Sequence, residues 1–189
     1  PRVGPARGSV VVGAEGAGGG AGSPRVLAIL LGVIGDLLLR LPAVRAVRAR
    51  HPQARIPAVC DPLAAPALRD NPLVDEVLPL DRRGASLASQ IAFYRRLRRE
   101  RFDIALDFYY GARTPLMAFL SGAPRRIGPA RDRWARLLFT EPVPFPLPPV
   151  HMVDRHLEIV RPLGVTRLTR RWEFPVTEQS RRALAERLA

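Results

Sequence analysis

Asp36 closes the run LLGVIGD, a glycine-spaced turn that ends in an acid. A carboxylate in such a turn, just past a buried strand, stands where open α/β sheets place their ligands. It is a candidate general base, a role that needs hydrogen-bond reach to a substrate hydroxyl. An acid at a helix start also complements the helix dipole and caps free amides, worth about 1 kcal/mol, so a purely structural Asp36 stays open. The GxxGD spacing is neither the GxGxxG dinucleotide fingerprint nor the GxxxxGK[ST] phosphate loop, which argues against a nucleotide-phosphate site at this turn.

Two further polar groups follow. Asp107 ends the strand-like run FDIALDF, and Arg113 and Thr114 come shortly after it. An Arg-Thr pair at a helix start suits an anion, because the guanidinium fork and the helix amides point the same way. An ordinary surface pair is the alternative, and Asp107 taken alone reads as structural. His151, Asp154, Arg155 and His156 form a polar knot at the head of another helix, where solvating one face would suffice. No His, Cys or Glu spacing marks a metal site, no serine sits in a nucleophile elbow, and no cofactor is expected.

The elements that must hold these groups alternate. Val26, Leu27, Ile29, Leu30 and Leu31 predict a strand covered on both faces. Gly32 and Gly35 permit a tight turn. Leu37, Leu38, Leu41, Val44 and Val47 then recur at helical steps, with Arg45, Arg48 and Arg50 on the wetter side. Pro42 predicts that this helix begins near Leu41 or kinks there. Residues 55–60 form a weak second strand interrupted by Pro57, and 63–69 a short helix. Residues 74–80 predict a third strand in which Val77 is buried, and 86–101 a helix with Leu87, Ile91, Tyr94 and Leu97 turned inward. Residues 102–108 form a fourth strand and 111–120 a helix. A basic PRRIG segment precedes an unpatterned stretch, and the prolines of EPVPFPLPPV predict extended or looped chain. Met152, Val153, Leu157, Val160 and Leu163 mark an inward helix face that ends at Gly164. Thr177 is a candidate N-cap for a last helix. Strands alternating with helices predict an α/β fold, a Rossmann-like parallel sheet flanked by helices.

The 189 residues are 47% apolar, which suits a soluble globular domain. The net charge of +13 comes wholly from arginine, since no lysine occurs. It favours anionic partners such as phosphosugars, phospholipid headgroups or nucleic acid, although an Arg-, Ala- and Pro-rich chain is equally what a GC-rich genome yields. Cys60 is the single cysteine, which excludes an internal disulfide and favours a reducing compartment. The apolar region 26–44 is interrupted by Asp36 and Arg40 and fails as a membrane span. Residues 1–24 are expected to be a flexible Gly- and Ala-rich extension.

With these residues in place the chain resembles the N-terminal half of the glycosyltransferase family 9, the lipopolysaccharide heptosyltransferases. The resemblance covers roughly residues 25–165. It rests on RVLAILLGVIGDLLLRLPAVRAVRARHP, NPLVDEVLPLDRR, FDIALDFYYGARTPLMAFLSGAPRRIG and HMVDRHLEIVRPLGV in that order. It implies a GT-B architecture of two Rossmann-like domains, with the acceptor on the first and a nucleotide-sugar donor on the second, and inverting transfer without a metal. Asp36 then matches the proposed base. Gly35, Arg113, Thr114, His151 and Arg155 match acceptor-side or cleft-lining positions. The implied boundaries are an acceptor-binding domain over 25–171, then a linker and the start of a truncated donor domain over 172–189. The family's basic residue on the first strand is replaced by Leu30, and a loop glycine by Tyr110, which would narrow the cleft or stack on a sugar.

The resemblance implies a cytoplasmic enzyme, peripheral on the inner face of the plasma membrane, that transfers an ADP-heptose-like sugar to a cell-envelope glycolipid. The arginines over 95–101 would then face an anionic membrane. Two rivals remain. A Rossmann-type oxidoreductase module would bind NAD(P) or flavin in a titration. A charge-driven nucleic-acid binder would shift DNA or RNA in a salt-dependent way, yet no recognition motif supports it and no nucleic-acid partner is expected.

Overall fold

The computed structural model describes residues 23–81, 84–144, 150–166, 169–170, 174, 176 and 178–188. Most of the expected N-terminal extension and the Thr177 cap lie outside the described residues. In chain order the elements are β1 (Val26–Ile29), α1 (Ile34–Arg50), β2 (Pro57–Cys60), β3 (Glu76–Pro79), α2 (Leu87–Arg99), β4 (Ile104–Asp107), α3 (Thr114–Leu120), β5 (Arg125–Ala130), α4 (Arg133–Leu138), β6 (Glu141–Pro144), α5 (Met152–Val160) and α6 (Glu178–Leu188).

The six strands form one parallel sheet in the order β3-β2-β1-β4-β5-β6. This is the Rossmann-like α/β fold expected from the alternation of periods. The chain reverses its direction of travel between β1 and β4, so the carboxyl ends of these two strands flank a switch point. Ile29 is level with Val59 of β2 on one side and with Asp107 of β4 on the other.

Period-two alternation along β1 divides the core. Val26, Ala28 and Leu30 pack with α1 and α5, while Leu27, Ile29 and Leu31 pack with Leu97 of α2, Met117 and Ala118 of α3, and Ala135 of α4. All six β1-region side chains are buried, as an interior parallel strand requires.

Several expectations are corrected. The helix after the first turn begins at Ile34 and runs through Pro42, which is itself buried. Burial of Leu37, Leu41, Val44 and Val47 along its length outweighs the one hydrogen bond that proline forfeits. Val77 is only half-buried and Leu78 is the covered residue, because β3 is an edge strand whose faces are unequally shielded. On α2, Leu87 and Ile91 are exposed and only Leu97 is fully buried. The basic PRRIG segment enters β5, the unpatterned stretch after it holds α4, and EPVP, expected as extended or looped chain, is the strand β6. Pro142 and Pro144 fit β6 because it is the other edge, and Pro57 fits β2 as its first residue.

Candidate functional site

The turn between β1 and α1 is shaped by Gly32, whose φ is +127° and whose N–H donates to Asp61 Oδ2 at 2.5 Å. A Cβ there would lie 3.0 Å from Asp36 Oδ2 and 3.2 Å from Arg40 Nη1. Gly35 has no such constraint: its φ is ordinary and a Cβ would meet nothing within 4 Å. Only Gly32 therefore answers to the tight-turn expectation. Gly35 instead leaves open space beside the acid.

Asp36 sits in the first turn of α1. The N-cap is Val33 and no side chain caps the helix, so the carboxylate is not consumed as the cap. Its side chain is 49% exposed and faces a groove of about 870 Å³ along the carboxyl ends of β1, β2 and β3. Asp61, Asp81 and Tyr109 line the same groove, with Val33, Ile34 and Leu63 as exposed apolar lips. Among the described residues no group of three His, Cys, Asp or Glu side chains is placed to hold a metal ion.

Beneath Asp36 lies Arg40, one helical turn on and 2% exposed. Its Nη1 donates to the Leu31 carbonyl, its Nη2 is 3.9 Å from Asp36 Oδ2, and its Cζ lies 5.7 Å from the centre of the Tyr109 ring. Burial pushes the Arg40 guanidinium down from the ordinary arginine value, with Asp36 and Asp107 the main opposing charges. Asp107 is wholly buried; its Oδ1 accepts from the Tyr109 N–H at 2.9 Å. Burial pushes its carboxyl up to about 7, against the pull of Thr114, the Tyr109 amide and Arg40.

Arg113 and Thr114 do not share the Asp36 groove. They line a neighbouring hollow of about 340 Å³ with Tyr94 and Gln90, and Tyr109 is the wall between the two. Arg113 is exposed there. Thr114 is 1% exposed, and its hydroxyl lies 3.3 Å from the Tyr109 carbonyl and 3.2 Å from that of Gly111. It braces the β4–α3 loop.

The polar knot of α5 is dispersed. His151 is the N-cap, its Nδ1 accepting from the Val153 N–H at 3.2 Å. Asp154 is held by Arg170 through two bonds of 2.8 and 2.6 Å, which lowers its carboxyl below the usual range. His156 turns into the core, 5.7 Å from the Tyr110 ring, and burial with Arg40 and Arg155 pushes it down to about 3. Arg155 is half-buried near Tyr110, whose hydroxyl burial pushes up to about 12. Tyr110 is thus tucked against α5, and Tyr109 is the tyrosine that faces the groove.

Arg40, Tyr109, Asp61 and Asp81 were not singled out by sequence reasoning. A signal existed for the acids: each of the first four strands is followed or ended by one, at Asp36, Asp61, Asp81 and Asp107. Arg40 carried a weaker signal, a lone cation in an apolar helix stripe four residues after Asp36.

Solved structures that share this fold include glycosyltransferases. The glycosyl transferase family 9 protein from Veillonella parvula superposes with a TM-score of 0.73 at 22% identity, over 86% of this chain and 48% of that one. The chain has the fold of the family 9 glycosyltransferases. E. coli ADP-heptose lps heptosyltransferase II gives 0.69 at 21% identity over 87% of this chain and 50% of its own. E. coli heptosyltransferase WaaC with ADP-2-deoxy-2-fluoro heptose gives 0.65 at 20%, over 82% and 50%. The chain spans about half the length of each of these three structures. No family model and no curated protein sequence matches it. Among the described residues no helix is long and apolar enough to cross a membrane.

Proposed function

We propose that this chain is the acceptor-binding part of an inverting glycosyltransferase in which Asp36 is the general base. The carrying observation is a half-exposed carboxylate, anchored on the first turn of α1, facing a groove of about 870 Å³ at the carboxyl edge of the sheet. That volume suits one or two sugar rings. The acceptor hydroxyl is deprotonated by Asp36 as its oxygen attacks the anomeric carbon. The nucleoside diphosphate leaves from the opposite face, and the anomeric centre inverts.

Around that step the other groups have defined tasks. Arg40 holds the Leu31 carbonyl and lies beside Asp36, fixing the carboxylate against the turn. Tyr109 offers an aromatic wall on which a sugar ring packs. Arg113, in the adjoining hollow, suits an anionic substituent on the acceptor. An ADP-heptose-like donor is the reading favoured by two neighbours in fold, whose names specify ADP-heptose and an ADP-heptose analogue. With it the proposal takes a cell-envelope glycolipid as acceptor and a second domain as the holder of the donor.

In a full-length protein containing this chain, Asp36→Asn is expected to lower kcat by about 10²–10⁴-fold while leaving substrate binding near its original strength. Turnover within a few-fold of the parent would remove Asp36 from the mechanism.

A further inference from the structure

The layer of α2, α3 and α4 carries an apolar patch that no described residue covers. On α3, Leu116 and Phe119 are three residues apart and 46% and 47% exposed, while Thr114, Pro115, Met117 and Ala118 turn inward. On α4 the spacing repeats: Trp134 and Leu137 are 73% and 74% exposed, while Ala135 is buried. Arg126 joins the two. Its Cζ lies 5.5 Å from the Phe119 ring centre, and its Nε donates to the Leu138 carbonyl at 2.8 Å. Two helices bridged by Arg126 thus each expose a pair of large apolar side chains, more than isolated surface leucines would produce.

The surrounding charge is predominantly positive. Arg131, Arg133 and Arg136 are exposed beside the patch, and neither Arg133 nor Arg136 forms an ion pair with a described residue. Asp132, the acid between them, caps α4 by accepting from the Ala135 N–H at 2.8 Å. On the same layer α2 presents Arg95, Arg98 and Arg99 to solvent.

A tryptophan and a leucine beside Arg133 and Arg136, which have no ion-pair partner among the described residues, match a surface with an apolar interior and anionic rim. A second copy of this face would oppose arginine to arginine, which costs free energy. A nucleic acid would neutralise the arginines and leave Leu116 and Leu137 in water. We propose that the α3–α4 face lies on an anionic phospholipid bilayer, with Trp134, Leu137 and Phe119 at the boundary of headgroups and acyl chains and Arg133 and Arg136 on lipid phosphates. This surface differs from the groove of Asp36 and does not depend on which sugar is transferred.

The test is co-sedimentation of the protein with phosphatidylcholine vesicles, with and without phosphatidylglycerol, at low and high salt. Binding is expected only with phosphatidylglycerol, and salt weakens it. Trp134→Ser with Leu137→Ser, and separately Arg133→Glu with Arg136→Glu, each reduce the partition coefficient by about tenfold or more. All four side chains are exposed, so the thermal midpoint of each variant stays near that of the parent. In a Trp172→Phe background the remaining tryptophan, Trp134, shifts its emission to the blue on binding. Equal binding to neutral vesicles, undiminished binding by both variants, or no binding at all overturns the proposal. So does a concentration-dependent dimer that Trp134→Ser with Leu137→Ser dissolves. Asp36→Asn binds vesicles like the parent, which separates this result from the fate of the catalytic reading.

Discussion

Asp107 and His156 are both buried, each close enough to Arg40 to feel its charge, and their pKa values are shifted in opposite senses. Burial raises the Asp107 carboxyl to about 7, from about 4 in an unfolded chain. Between those values the native state keeps a proton that the unfolded chain has released, so stability falls as pH rises. Burial, Arg40 and Arg155 lower His156 to about 3, from about 6.5 unfolded. Between those values the unfolded chain takes a proton that the native state refuses, so stability falls as pH drops. From about 4 to about 6.5 the two slopes oppose each other. In urea unfolding of the parent chain the contributions of these two groups are therefore expected to offset each other across this window. With His156→Phe, stability declines as pH rises across this window; with Asp107→Asn it increases. Slopes of the same sign in both variants would contradict the assignment. The sequence displayed both residues, but not their burial. Asp107 read as the end of a strand and His156 as a polar helix face, and each is covered by side chains distant in the chain.

At the scale of elements, the β1–α1 turn is the piece on which the site depends. Its Gly32 adopts a backbone conformation that other residues avoid, and a Cβ would press on the Asp36 carboxylate. Gly32→Ala is expected to cost about 1–3 kcal/mol in urea unfolding and to displace Asp36. Gly35→Ala, in ordinary helical geometry with free space, is expected to be neutral or to stabilise by up to about 1 kcal/mol. Equal losses from the two substitutions would show that the turn is not constrained as described. Sequence marked both glycines alike, since spacing reports that a turn exists and not which residue takes the unusual φ. The apolar steps of α1 and α5 were legible because each buries a continuous stripe. β5 and α4 were not, and β6 was legible only as extended or looped chain. Their residues alternate poorly, and prolines in β6 are tolerated only because that strand lies at an edge, a property of the assembled sheet.

For the molecule as a whole, two cores on opposite faces of a single sheet share β1, so neither is expected to survive loss of the other. Leu27→Ala opens the α2–α4 side and Leu30→Ala the α1–α5 side, each by about 2–5 kcal/mol. Far-UV circular dichroism and tryptophan fluorescence should report one coincident transition in both variants, and a split transition would mean that the faces fold independently. The sequence alone determined the alternation of strands and helices, the parallel α/β class and the position of Asp36 in the turn region that follows the first strand, because period and turn chemistry are local. Tertiary structure decided which polar groups share a groove. It separated Arg113 from Asp36 with Tyr109, turned His156 and Thr114 inward, and brought Arg40 under the turn. It also set the exposed stripes of α3 and α4 side by side. Strand order, which side chains a neighbouring element covers, and which face remains in water arise only from contacts between distant segments.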